Sequence, residues 1–140
     1  MQKNRQSLTL TLLQARESAM RFFRPQLNLH GLTEQQWRVI RLLSQHGELE
    51  SHTLARLACI LKPSLSGVLL RLERDGMVRR RKMHEDQRRV LFSLTKQGVG
   101  CFESMSADMQ LNYQRILEQF GTDKLQQLYA LLNELKRIKP

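Results

Sequence analysis

SHTLARLACILKPSLSGVLLRLERDGMVRRRKMHEDQRRVLFSL, residues 51–94, is the stretch on which the fold turns. Ser51 stands as an N-cap before Leu54, Leu57 and Ala58, which recur at helical spacing. Cys59-Ile60-Leu61-Lys62 reads as a turn, and Pro63 follows at the first helical position, where its missing N–H costs nothing. The second helix turns Val68, Leu69 and Leu72 inward and ends at Gly76. A short helix, a tight turn and a second helix make a helix-turn-helix. After Gly76 the pattern changes to that of strands, Met77–Met83 and Val90–Leu94, around the polar tip His84–Arg89. A basic-tipped hairpin directly after the second helix of such a motif is a wing.

Working outward, the upstream chain predicts a helix from about Ser7 to Asn28, carrying Leu8, Leu12, Ala15, Ala19, Phe22 and Phe23. Pro25 should kink or end it, since proline lacks the backbone donor and clashes one turn back. Gly31 stops the segment, and Thr33 with Gln36 forms a capping box for a helix reaching about Gln45. Trp37, Val39, Ile40, Leu42 and Leu43 give that helix its apolar face, and His46-Gly47 closes it. Glu48–Glu50 reads as a linking stretch. Downstream, Phe102, Met105, Met109, Tyr113, Ile116 and Phe120 mark a long helix despite Gly98 and Gly100. Gly121 breaks it, and Thr122 caps a last helix with Leu125, Leu128, Leu132 and Leu135 in a stripe.

The fold class that follows is mainly α with a small β-hairpin: a winged helix-turn-helix over residues 33–95. Helices in 1–32 and 96–140 are left for a dimerisation domain. Their leucine-rich stripes would lie exposed on a lone winged core, and large apolar patches mark association. Two-fold pairing with a second copy covers them; packing within a monomer is the alternative.

The 140 residues suffice for one domain with a core and not for two independent ones. No apolar run is long enough to span a bilayer, and MQKNRQSLTLTLLQ lacks a signal-peptide core, so the expected location is the cytoplasm. Cys59 and Cys101 stand far apart, which suits neither a disulfide framework nor a zinc site. His30, His46, His52 and His84 show no ligand-like pairing, and no cofactor or metal is expected. Twenty-three Lys and Arg against thirteen Asp and Glu leave a formal charge of +10, which points to a polyanion as partner.

The position of that charge is more telling than its size. Lys62, Arg71, Arg74, Arg79, Arg80, Arg81, Lys82, Arg88 and Arg89 fall in the second helix and the hairpin. The pattern implies double-stranded DNA, with the second helix in the major groove and Lys62, Ser64, Leu65, Ser66, Arg71 and Arg74 as candidate contacts, Leu70 beside them. Leu65 also suits the core. From the wing, Arg80, Arg88 and Arg89 are candidates, Arg88 being long enough to enter a narrow minor groove. Asp86 would hold Arg88 or Arg89 extended by a charge-assisted hydrogen bond. Two such helices about 34 Å apart in a dimer would read a pseudo-palindromic site.

Asp86-x-Arg88 followed by Leu94-Thr95-x-x-Gly98, after Leu72-Glu73-Arg74-Asp75-Gly76-Met77-Val78, resembles the MarR family of regulators over nearly the full chain. Leu13–Glu17, Phe23-Arg24-Pro25, Leu32–Arg38 and Ala58–Leu65 look most like its repressors of homoprotocatechuate degradation. The resemblance implies a transcriptional repressor released from its operator by a small aromatic carboxylic acid. It also implies an effector cleft between dimerisation helices and winged domain. Arg16 could grip a carboxylate there, Trp37 could stack on a ring, and Arg38 and Arg41 could add positive charge, with Ala19 and Phe23 alongside. The plainer reading makes Trp37 core and Arg16 a salt-bridge partner.

Three other readings stand beside this one. A redox sensor of the same fold would need a reactive thiol, and Cys59 sits among apolar residues, which suppress thiolate formation. An enzyme would need a nucleophile–base pair, a phosphate-cradling loop or a carboxylate pair, and no such pattern is found. A nonspecific architectural binder would grip any duplex equally.

Overall fold

Residues 5–140 are described by a computed structural model. In chain order the elements are α1 (Leu8–Met20), α2 (Arg24–Leu29), α3 (Glu34–His46), β1 (Glu48–Glu50), α4 (Ser51–Ala58) and α5 (Lys62–Arg74). There follow β2 (Val78–Lys82), β3 (Val90–Leu94), α6 (Lys96–Phe120) and α7 (Thr122–Leu135). The described residues divide into two units, one of residues 26–107 and one of residues 5–25 with 108–140, the divisions falling inside α2 and α6. The expected winged unit, 33–95, is thus extended at both ends. Leu27 of α2 and Met105 of α6 are both fully buried and belong to the central unit.

In the central unit, Thr33 starts α3 with a complete capping box. Its hydroxyl accepts from the Gln36 N–H at 3.1 Å, and the Gln36 side chain accepts from the Thr33 N–H at 3.0 Å. Val39, Ile40 and Leu43 recur at helical spacing and are buried, and they join Leu54 and Ala58 of α4, Ile60 of the turn, and Leu65, Leu69 and Leu72 of α5 in one core. Each fully buried aliphatic side chain of this kind contributes about 1.5–3 kcal/mol. Gly47, at φ +84°, ends α3.

Glu48–Glu50, expected to be a link, is a strand. It pairs antiparallel with β3, and β3 with β2, giving the order β1-β3-β2. Leu49, Phe92 and Arg80 share one row; Glu50, Leu91 and Arg81 share the next. Ser51 is the first residue of α4 and not its cap; Glu50 holds the N-cap position with no side-chain bond to the helix.

In the other unit, Ser7 caps α1 by accepting from the Leu10 N–H at 3.2 Å. The single helix expected over Ser7–Asn28 is two. The break falls at residues 21–23, ahead of Pro25, which sits in the first turn of α2, where no helical donor is missing. Gly121, at φ +98°, separates α6 from α7 and takes the N-cap position expected of Thr122. No α1 residue is buried, and α7 buries only Leu125. Leu8, Leu10 and Leu13 of α1 and Leu128, Tyr129 and Leu131 of α7 are exposed.

Candidate nucleic-acid interface

Two helices crossing at 106° form the turn motif, within the range of helix-turn-helix units. The turn is closed by Cys59 in the left-handed conformation, φ 54° and ψ 46°, with the Ile60 N–H bonded to the Ala55 carbonyl at 3.0 Å. Arg38 reinforces it from α3. Its Nη1 donates to the Ala58 carbonyl at 2.6 Å and reaches the Cys59 carbonyl at 3.5 Å, occupying acceptors that the end of α4 leaves unmatched. An arginine expected to meet an effector thus sets the end of the first motif helix.

On α5, Lys62, Ser64, Ser66, Arg71 and Arg74 are exposed, with Gly67 and Leu70 between them. Leu65 is 1% exposed and packs in the core, so its side chain is closed to a base edge. The other α5 candidates lie on the solvent side of the helix. Ser66 bonds back to the Lys62 carbonyl at 3.3 Å, and Arg74 lies beside Asp75 at 3.7 Å.

The wing orders its arginines unequally. Arg80 forks onto Glu73 of α5 at 2.5–3.0 Å and lies 5.3 Å over the Phe92 ring. Arg81 of β2 forks onto Glu48 of β1 at 2.7 and 3.0 Å, across the central strand. Arg89 binds Glu50 through Nε at 2.8 Å and through Nη2. These hydrogen bonds hold the Glu48 and Glu50 carboxyls below their ordinary range and push all three guanidinium groups up. Asp86 accepts from the Arg88 N–H at 3.0 Å, and the Arg88 Nε lies 3.4 Å from the same carboxylate oxygen. The Arg88 side chain is nonetheless 93% exposed. Between α5 and the wing lies an open groove of about 390 Å³ whose walls include His52, Lys62, Ser66, Arg80, Arg88 and Arg89.

The base of the wing explains Leu94-Thr95-x-x-Gly98. The Thr95 hydroxyl donates to the Gly76 carbonyl at 2.6 Å and accepts from the Gly98 N–H at 3.0 Å. A Cβ on Gly98 would stand 2.1 Å from the Met77 carbonyl oxygen. Sequence reasoning missed Glu48, Glu50 and Glu73. Only Glu73, seven residues before Arg80, lay close enough along the chain to suggest a pairing.

Among the effector candidates, Trp37 is buried and stacked on Phe102, centroids 5.7 Å apart at 15°, so one ring face is taken. Arg41 of the same helix is exposed. In the other unit, Arg16 and Ala19 are exposed on α1, Arg16 lying 3.7 Å from Glu17, and Phe23 is half-buried. Cys59 is exposed, contrary to the apolar setting inferred from its neighbours, because its left-handed backbone turns it out of the core. The Cys101 thiol is pushed up by burial. Among the described residues no three His, Cys, Asp or Glu side chains converge as a metal site would require, and no single helix is long and apolar enough to cross a membrane.

The chain is 49% identical over 128 residues to the homoprotocatechuate degradative operon repressor of Escherichia coli, a match covering 91% of this chain and 86% of that one. It superposes on the crystal structure of the transcriptional regulator PA4135 with a TM-score of 0.95 at 70% identity, covering 97% of this chain and 100% of that one. It likewise superposes on NadR in complex with 4-hydroxyphenylacetate with a TM-score of 0.88 at 45% identity, covering 99% of each. Residues 32–90, from just before α3 to the first residue of β3, match the MarR family profile. With a winged helix-turn-helix built as described and relatives of this closeness over almost its whole length, the chain belongs to the MarR family.

Proposed function

We propose that the chain is a sequence-specific transcriptional repressor of a catabolic operon, acting in the cytoplasm as a homodimer on a pseudo-palindromic operator and released by a small aromatic carboxylic acid. The observation that carries the DNA-binding part is one continuous set of exposed groups. Lys62, Ser64, Ser66, Arg71 and Arg74 on α5 stand beside a wing whose Arg88 is held at its backbone by Asp86 and extends into solvent. Serines and a lysine at the start of a recognition helix suit base edges and phosphates. An extended arginine on a wing suits a narrow minor groove.

The effector class rests on the relatives. One is named as the repressor of homoprotocatechuate degradation, and another is crystallised with 4-hydroxyphenylacetate. A repressor of a degradative operon serves its purpose when the compound to be degraded, or one like it, lifts repression. Arg16 on α1 and Arg41 on α3 are separate candidates for the carboxylate, each to be tested by its own substitution. Homodimer formation is supported by the exposed leucines of α1 and α7.

Fluorescence anisotropy of a labelled duplex from the gene's own upstream region, at fixed salt, tests the proposal. The wild-type protein should bind that duplex on the order of a thousandfold or more tighter than a scrambled one. Arg88→Ala should weaken specific binding by about 1–3 kcal/mol. One of the hydroxyphenylacetates should weaken it five- to 150-fold, roughly the range of ordinary allosteric coupling. Equal affinity for the scrambled duplex would make the protein an architectural binder, and indifference to every acid would move the signal to another chemistry.

A further inference from the structure

Among the cations gathered on the wing, Arg88 and Arg89 are adjacent in sequence and differ entirely in setting. Arg88 is 93% exposed on its side chain, while Arg89 is fixed at both ends. Its backbone closes the wing tip: the Met83 N–H donates to its carbonyl at 2.8 Å, and its own N–H donates to the Asp86 carbonyl at 3.0 Å. Its guanidinium is bonded to Glu50, whose side chain is only 17% exposed and has His52 Nδ1 at 3.5 Å on its other oxygen. Glu50 ends β1, the edge strand paired to β3, and Glu48 of the same strand takes Arg81 of β2 across β3. A three-residue strand therefore ties down both strands of the hairpin.

We propose that Glu50 is a positioning residue for the wing, holding Arg89 as an anchor so that Arg88 alone is presented to DNA from this part of the tip. The inference deepens the DNA-binding reading above and rests on it. Ion pairs at a protein surface contribute little stability, so the significance of this pair lies in geometry. A seven-residue tip, 83–89, has many conformations. Fixing its last residue to a strand of the body restricts where the residue before it can reach, and lowers the ordering cost of binding.

Electrostatics and positioning predict opposite signs here, which makes the inference testable. A carboxylate beside a DNA-binding groove repels phosphate, so its removal alone should tighten binding to any duplex. Positioning predicts that Glu50→Gln weakens binding to the protein's own upstream duplex roughly five- to twentyfold, within the range of coupled side-chain pairs. Binding to a scrambled duplex should stay level or tighten. Arg89→Gln should give the same loss without changing the salt slope, whereas removing a true phosphate contact lowers that slope by about 0.9. The charge-swapped double variant Glu50→Arg/Arg89→Glu should recover most of the specific affinity.

Hydrogen exchange on the free protein supplies an arm independent of DNA: Glu50→Gln should speed exchange of the Met83 and Arg89 amides and leave those of α3 unchanged. Unchanged tip exchange, or equal tightening on both duplexes, overturns the anchor. Failure of the wild-type protein to distinguish the two duplexes overturns the DNA-binding reading instead, and the exchange measurement still decides whether Glu50 holds the tip.

Discussion

At Gly98 the backbone of α6 passes so close to the strand leaving Gly76 that a methyl group would sit 2.1 Å from the Met77 carbonyl oxygen. Neither partner is a flexible side-chain end, so Gly98→Ala must push α6 away from the foot of the wing. We expect a loss of about 1–3 kcal/mol, the usual range for overpacking, visible as a lower denaturant midpoint. Because the Thr95 hydroxyl bridges the Gly76 carbonyl and the Gly98 N–H, the wing should loosen before the rest of the unit does. An unchanged midpoint would mean that the two segments separate freely. In the sequence Gly98 reads as a weak point in a helix and as the end of the Leu94-Thr95-x-x-Gly98 motif, without showing why glycine is needed, because the atom that requires it belongs to Met77, ahead of β2. Asp86 was more legible: its partner, the Arg88 N–H, lies two residues on, and bonds of that span follow from local geometry. Leu65 shows the same limit from the other side. Its place on α5 suits either face, and only the packing of the neighbouring helices puts it in the core.

Among the elements, α3 both carries core and fixes the turn motif. Its capping box and apolar stripe are written in consecutive residues, which is why its start was legible to the residue. Its link to the motif was not, since Arg38 reaches twenty residues along the chain to the Ala58 carbonyl. Arg38→Met keeps the apolar stem and removes both bonds to the end of α4. It should cost about 1–3 kcal/mol, the scale of charged hydrogen bonds lost from a part-buried site. The relative orientation of α4 and α5 should relax with it, and specific DNA affinity should fall even under conditions where the protein is fully folded. Denaturant unfolding and anisotropy, measured side by side, separate the two effects. A variant with wild-type stability and affinity would show that Cys59 and Ile60 close the turn unaided. β1 escaped sequence reading for a related reason. Glu-Leu-Glu is too short for alternation to register, and it is a strand only because β3, some forty residues later, lies beside it.

For the whole molecule, the question is why α1 and α7 leave so much apolar surface uncovered. Leu10 of α1 is 52% exposed and Leu131 of α7 is 62% exposed, with Leu8, Leu13, Leu111 and Tyr129 also open in the same unit. Scattered exposed leucines are ordinary, but a unit in which two helices bury a single side chain between them has little core of its own. A second copy would cover that surface, and the two-fold axis it brings would match a pseudo-palindromic operator. Replacing exposed residues alters the stability of a monomer by no more than about 0.5 kcal/mol, so a large effect of Leu10→Glu/Leu131→Glu would report on association. The expected result is a halved mass by sedimentation and a loss of specific DNA affinity of about a hundredfold or more. That is the advantage forfeited when two linked binding events become separate ones. Contact with a single half-site should survive, because the core of residues 26–107 contains neither substitution. If the double variant stays dimeric and binds as before, pairing runs through other surfaces, and the open faces of α1 and α7 serve a different partner.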